Sequence, residues 1–349
     1  MAELLKMLTE VGGVSGDEGR VRQLIRQEVS PFVDDIYTDR MGNLIAYKKG
    51  TNSDKKVMLC AHMDEVGFII TGIGEDGMLK FKMVGGIDPR VLVSKRVLVG
   101  EKGYTGVLGI KAIHLQEPEE REHAVKVKQM YIDIGATSKE DASQVVKPGD
   151  YAVFDSRYVE FGDNKVKAKA LDDRAGCAVL IELIKQKQRY DFDLYACFSV
   201  QEEVGLRGAE VLGYSINPDI AIVVEATTCS DVPGVEEHLY TTLMGKGPAI
   251  TIMDSASYAN KELVEMLINT AQKEGIPFQL KKGASGGNDA GRIHLAREGV
   301  KTVTVSIPCR YIHSPSSVMD LTDYKNTIRL ISVFLKGCQL PTTCRGSGL

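Results

Sequence analysis

Apolar residues recur at helical spacing in Leu4, Leu5 and Leu8, and again in Val21, Leu24, Ile25 and Val29, so the chain opens with two helices. Ser15, followed three residues later by Glu18, has the form of a capping box for the second of them. Lys56-Val57-Met58-Leu59-Cys60-Ala61 is short, apolar and followed at once by polar residues, which predicts a buried strand with His62 at its carboxyl end. From Gly67 to Glu160 the texture changes to short Val, Ile and Phe runs broken by Gly, Asp and Pro, as in Val66-Gly67-Phe68-Ile69-Ile70 and Gly106-Val107-Leu108-Gly109-Ile110. That texture predicts a small β-rich domain. Strand and helix then alternate: Val166-Lys167-Ala168, a helix from Ala175 to Lys185, strands Leu194 to Val200 and Asp219 to Val224, a helix from Lys261 to Lys273, and the strand Lys301 to Ile307. Such alternation implies an open α/β sheet flanked by helices, here interrupted by the inserted β domain. The division is a domain of 1–66 and 161–349 around an insert of 67–160.

Composition narrows the function classes. With 349 residues, 43% hydrophobic and 26% charged, the chain is globular and long enough for two domains. A formal charge of -4, with no run of Lys and Arg interleaved with aromatics, argues against nucleic acid as a partner. The N-terminus lacks the basic start, long apolar stretch and cleavage site of a secretory signal, and no apolar run reaches membrane-spanning length. A cytoplasmic protein that does not engage membranes is the expectation. The seven cysteines are odd in number and scattered, without a close pair suited to a zinc ribbon, and read as small buried hydrophobes. The tail from Gly337 to Leu349, with its Pro, Thr, Ser and Gly, is expected to be disordered.

Ligands of open α/β sheets bind beyond the carboxyl ends of strands, so the residues just past each predicted strand belong together. They are His62 and Asp64, then Asp172 and Asp173, Glu202 and Glu203, Glu225, and finally His313. Taken singly, each has a plainer reading: a lone histidine is more often a satisfied polar residue, and Asp172 and Asp173 can simply cap the helix after them. Their joint arrival at strand ends favours one shared site, whose nitrogen and oxygen donors suit zinc, cobalt or manganese. In extended backbone Asp64 points to the same side as His62 and can hold its far ring nitrogen. Asp172 can offer one oxygen to each of two ions. Glu202 and Glu203, being adjacent, point apart and can divide the work of ligand and general base.

Four segments then carry a family likeness: Ala61-His62-Met63-Asp64-Glu65-Val66-Gly67, Lys169-Ala170-Leu171-Asp172-Asp173-Arg174, Gln201-Glu202-Glu203-Val204-Gly205-Leu206-Arg207-Gly208-Ala209 and Arg310-Tyr311-Ile312-His313-Ser314-Pro315. In sequence and order the chain resembles the glutamyl and deblocking aminopeptidases, co-catalytic metallopeptidases that form tetrahedral shells. The resemblance implies a mixed open sheet with an inserted small β-barrel-like domain, and two divalent metal ions, zinc or cobalt. It implies His62, Asp172 and Glu225 on one ion, Asp172, Glu203 and His313 on the other, Glu202 as general base and Asp64 orienting His62. A cis peptide bond between Asp172 and Asp173 is implied as well, as are short peptide substrates and assembly of dimers, paired through the insert, into a dodecamer. The chain departs from the family's usual pattern at Glu225, where Asp is usual, and at Asn288, where Thr is usual.

Two other readings compete with a metallo-aminopeptidase. Paired carboxylates such as Glu202 and Glu225 could act as the acid and base of an endoglucanase-like glycoside hydrolase. The chain has no Trp and only 6% aromatic residues to stack on a sugar, and that reading leaves His62 and His313 unused. A scaffold that binds peptides without cleaving them would not need the complete set of ligands together with Glu202. His114, His123, His238 and His294 lie outside the motifs, and Gly283 to Gly287 lacks the spacing of a P-loop.

Overall fold

The computed structural model describes residues 2–338. At its centre run four parallel strands: β1 (Lys56–His62), β2 (Asp193–Ser199), β3 (Ile220–Thr228) and β4 (Lys301–Arg310). In space they lie in the order β2, β1, β3, β4, within an 11-stranded sheet. Antiparallel strands extend it on both sides, Leu44–Lys48 beside β2 and Ser317–Asp320 beside β4, so the sheet is mixed.

Strand β1 shows why this segment becomes the middle of the molecule. Its side chains alternate between two apolar layers, as a pleated strand requires. Val57, Leu59 and Ala61 join the larger core beneath helices α1 (Ala2–Glu10), α2 (Gly19–Val29) and α3 (Leu171–Lys185). Met58 and Cys60 join the smaller core with Ala209 and Leu212 of helix α4 (Arg207–Ile216). Covered on both faces, the parallel strands have no polar alternation, and they read in sequence as continuous apolar runs. The six cysteines among the described residues are all buried and unpaired, as their scatter predicts. Cys344 and nearly all of the predicted disordered tail lie outside the described residues.

A closed six-stranded antiparallel barrel begins at Gly67, immediately after β1 and its loop, and its last strand ends at Phe154. It has its own core, in which Phe68 meets Phe81 and Phe154 edge to face at 5.2 and 5.1 Å between ring centroids. Closure leaves the insert without a free strand edge. The next strand, Val159–Phe161, pairs with Lys165–Ala168 and belongs to the large sheet. Among the described residues no helix is long and apolar enough to cross a membrane.

The structure corrects two sequence expectations here. Ser15 and Glu18 do not form a capping box: α2 begins without a side-chain cap, the Ser15 hydroxyl donates to Asp64, and Glu18 accepts from Gly16 and Gln201. A local cap competes with these long-range partners and loses, because Ser15 and Glu18 are buried against the loops that follow β1 and β2. Strand β3 runs on to Thr228, so Glu225 lies within it, opposite Ser306 of β4, and not beyond its end.

Candidate metal centre and active site

The carboxyl ends of the parallel strands bring their polar residues to one rim. His62 is the last residue of β1, its backbone opposite Ser199 at the end of β2. Ala170, in left-handed conformation with φ 52°, turns the chain into α3, and Asp172 and Asp173 have non-helical backbone angles within that first turn. The peptide bond between them is cis. The simple capping role is divided between the two: Asp173 accepts the backbone N–H of Gly176 at 3.0 Å, while Asp172 turns towards the imidazoles. Tyr311 and His313, both with positive φ, fold the segment after β4 back over the rim.

Asp172 is the hinge of the arrangement. Its Oδ1 lies 3.2 Å from His62 Nε2 and its Oδ2 lies 3.3 Å from His313 Nε2. On the His62 side Glu225 Oε1 stands 3.3 Å from the same Nε2, and on the His313 side Glu203 Oε2 stands 3.2 Å away. Glu202 is further out, with Oε2 4.0 Å from His62 Nε2. Among the described residues, His62, Asp173 and Glu225 form one set with ligand atoms within 4.8 Å of one another, and His62, Asp172 and Glu203 form another. All the candidates singled out in the sequence therefore meet here. Asp173, which stands past the same strand as Asp172 but is given no role by the family likeness, is a potential donor here.

Asp64 stands behind this group, fully buried. His62 Nδ1 is 3.1 Å from the Asp64 backbone carbonyl and 3.4 Å from Oδ1, so Asp64 meets the ring through both backbone and side chain. Its carboxylate also accepts the backbone N–H groups of Glu202 at 3.0 Å and Glu203 at 3.1 Å, and the Ser15 hydroxyl at 2.6 Å. Nothing in sequence spacing exposes Ser15 as a partner, because 49 positions separate it from Asp64. Asp289 is a further buried carboxylate, accepting from the Ser199 hydroxyl and the Cys60 thiol, with Oδ1 unpaired.

The electrostatics follow from packing many carboxylates out of water. Burial, reinforced by the Asp172 charge, pushes Glu203 up to about 8, and burial likewise raises Glu225 to about 8. Burial also drives Glu202 well above the ordinary carboxylate range. For Asp172 burial is outweighed by hydrogen bonds from both imidazoles, which hold its carboxyl far below that range. Burial opposes protonation of His313, yet Asp172 and Glu203 bring it up to about 9. Lys169 and Arg174, on either side of Asp172 in sequence, do not neutralise it: they are bonded to Glu65 at 2.7 and 3.1 Å. Buried oxygen and imidazole donors that hold protons in place of a counter-ion fit divalent cations, which can take the protons' place.

The profile of the M42 glutamyl aminopeptidases matches residues 42–330. An aminopeptidase-type protein of Acetivibrio thermocellus is 42% identical over 95% of this chain and 97% of its own. A solved structure from Thermotoga maritima, described as an endoglucanase, is 40% identical with a TM-score of 0.80, covering 95% of this chain and 96% of its own. The TET1 peptidase of Pyrococcus horikoshii, described as assembling into a tetrahedron or a large octahedral shell, is 35% identical with a TM-score of 0.86, covering 96% of this chain and 99% of its own. With its strand-end motifs gathered on one rim and the family profile spanning most of its length, the chain belongs to the M42 glutamyl aminopeptidase family.

Proposed function

We propose that this protein is a metallo-aminopeptidase that removes the N-terminal residue from short peptides, using two divalent ions, zinc or cobalt. The observation that carries the reading is Asp172, whose two oxygens each face a different histidine, so that this one carboxylate could serve two ions. His62, Asp172 and Glu225 would hold one ion, with Asp173 close enough to contribute, and Asp172, Glu203 and His313 the other. Glu225 stands where the family usually has Asp, and its reach to within 3.3 Å of His62 Nε2 is compatible with a ligand. When bound, the ions supply Lewis acidity, acidifying water and polarising the peptide carbonyl.

The chain's own residues do the rest. Glu202 is the general base and then the acid: it takes a proton from the attacking water and passes it to the leaving amine. Asp64 orients His62 and, through two N–H groups, the Glu202-Glu203 pair. The acidic rim attracts the free ammonium group of a peptide, which accounts for action at the N-terminus. The family likeness supports a homo-oligomer, and the reading extends to dimers joined through the barrel and closed into a dodecameric shell.

A glycoside hydrolase reading, prompted by the Thermotoga maritima relative, has less support. Glu225 lies against His62 in place of standing free as acid or base, and no Trp is available to stack on a sugar. The test compares two variants on amino-acid p-nitroanilides and in metal analysis. Glu202→Gln should keep the bound metal and lose about 10²–10⁴-fold in turnover. Glu203→Gln should lose metal first. Equal metal loss in both would refute the division of labour.

A further inference from the structure

The Glu202-Glu203 pair sits on a loop whose backbone is held in an unusual way. Four consecutive N–H groups each find a side-chain oxygen from a distant part of the chain. Val200 N–H donates to Asn43 Oδ1 at 3.0 Å, Gln201 N–H to Glu18 Oε1 at 3.2 Å, Glu202 N–H to Asp64 Oδ1 at 3.0 Å and Glu203 N–H to Asp64 Oδ2 at 3.1 Å. Gln201 has φ 56°, a left-handed conformation that non-glycine residues rarely adopt, and the Glu18 bond is made at that residue.

The turn between α1 and α2 supplies the outer half of this support. Ser15 and Glu18 are each only 5% exposed. The Ser15 hydroxyl donates to Asp64 Oδ2 at 2.6 Å, the same oxygen that accepts Glu203 N–H. Glu18 Oε1 accepts Gly16 N–H at 2.8 Å as well as Gln201 N–H, tying the turn to itself and to the loop through one atom. The turn is in turn joined to the end of β1 by a bridge between Val14 and Glu65. Of these two buried polar side chains, which leave their own helix uncapped, Glu18 thus bonds the loop backbone beside Glu202 and Ser15 bonds Asp64, which holds the Glu202 and Glu203 N–H groups.

We propose that Ser15 and Glu18 are positioning residues for peptide hydrolysis: through Gln201 N–H and Asp64 they set the direction in which Glu202 presents its carboxylate. They act through the loop and hold neither substrate nor metal. The inference rests on the reading of Glu202 as general base. Misplacing a catalytic group by a fraction of an ångström slows chemistry while leaving ground-state binding nearly intact. A turn that merely anchored the N-terminus would change stability and leave the turnover of folded, metal-loaded enzyme alone.

The experiment measures kcat, KM, bound metal and thermal midpoint on the full-length, metal-loaded enzyme. Glu18→Ala should lower kcat about 10–100-fold, with KM within about threefold of wild type and unchanged metal content. Glu18→Gln should recover most of the activity, because its amide oxygen can accept both N–H groups. Ser15→Ala should lower kcat several-fold, again at constant metal, and it decides the matter should Glu18→Ala fail to fold. Wild-type kcat in Glu18→Ala, or in Ser15→Ala where only that variant folds, would overturn the proposal. So would a Glu18→Gln enzyme as impaired as Glu18→Ala, or a loss of rate that merely tracks loss of metal. A fully active Glu202→Gln enzyme would sink the base assignment itself, whereas an inert Glu202→Gln beside a fully active Glu18→Ala would sink only the positioning role.

Discussion

Raising the pH of metal-free protein from 6 to 9 should loosen it and at the same time strengthen its hold on metal. Glu203 and Glu225 titrate near 8 and His313 near 9 in the metal-free site. At pH 6 all three carry protons, and each must surrender its proton before it can serve as a ligand. Every proton released makes the apparent affinity rise about tenfold per pH unit, or about 1.4 kcal/mol. The groups share one crowded site, so release of two protons is the conservative expectation, giving about a hundredfold gain in affinity between pH 6 and 7. The sign for the metal-free fold is opposite. Both carboxyls have folded values above their ordinary one, so the folded state binds more protons and its stability declines as pH rises towards 8. His313 is also raised, so its contribution is complete below its ordinary value of 6.5 and is lost as pH passes through about 9. Asp172, held far below the ordinary range, titrates outside this window. Calorimetric titration in buffers of different ionisation enthalpy counts the protons, and thermal midpoints with and without chelator follow the fold. Metal affinity independent of pH between 6 and 7, or a metal-free midpoint that rises from pH 6.5 to 9, would refute the reasoning.

Other outcomes are expected from the same geometry. Arg174 is fully buried and donates to the carbonyls of Met63, Leu8 and Val11 at 2.7, 2.5 and 3.0 Å, as well as pairing with Glu65. Arg174→Met should cost about 3–5 kcal/mol in urea denaturation, and a loss under about 1 kcal/mol would mean those carbonyls find other donors. A methyl at Gly208 would meet Asn43 Oδ1 and the Val200 backbone oxygen and nitrogen, the last two at 2.6 and 2.7 Å. Gly208→Ala should therefore displace the loop that carries Glu202 and cut turnover by about tenfold or more, and unchanged kinetics would show that the loop absorbs the shift. Light scattering of metal-replete protein should report a particle much larger than one chain, whereas a monomer would exclude the shell.

The strands and helices are legible because each buried element repeats its own period: the continuous apolar run of β1 and the helical spacing of α1 and α2 carry their burial in the sequence. The rim is legible for a related reason, since the carboxyl ends of the parallel strands in an open α/β sheet lie along one edge. That logic alone brings His62, Asp172, Glu203 and His313 into one neighbourhood. Its weak points are residues whose role depends on which distant groups compete for them. Ser15 and Glu18 have the local pattern of a cap, yet Ser15 bonds across 49 positions and Glu18 across 183, because partners buried against the loops after β1 and β2 outbid a solvent-facing helix end. Asp173 is another such case: it and Asp172 both have non-helical backbone angles, and only their partners, the Gly176 N–H for one and the two imidazoles for the other, tell them apart. By itself the amino-acid sequence determines which segments bury apolar surface and which polar residues stand at their ends, because both depend on local periodicity. Which oxygen of Asp172 faces which imidazole, and which side chains brace Glu202 from behind, is decided only by tertiary structure, since those contacts exist once the chain has brought remote carboxylates together and excluded the water that would otherwise solvate them.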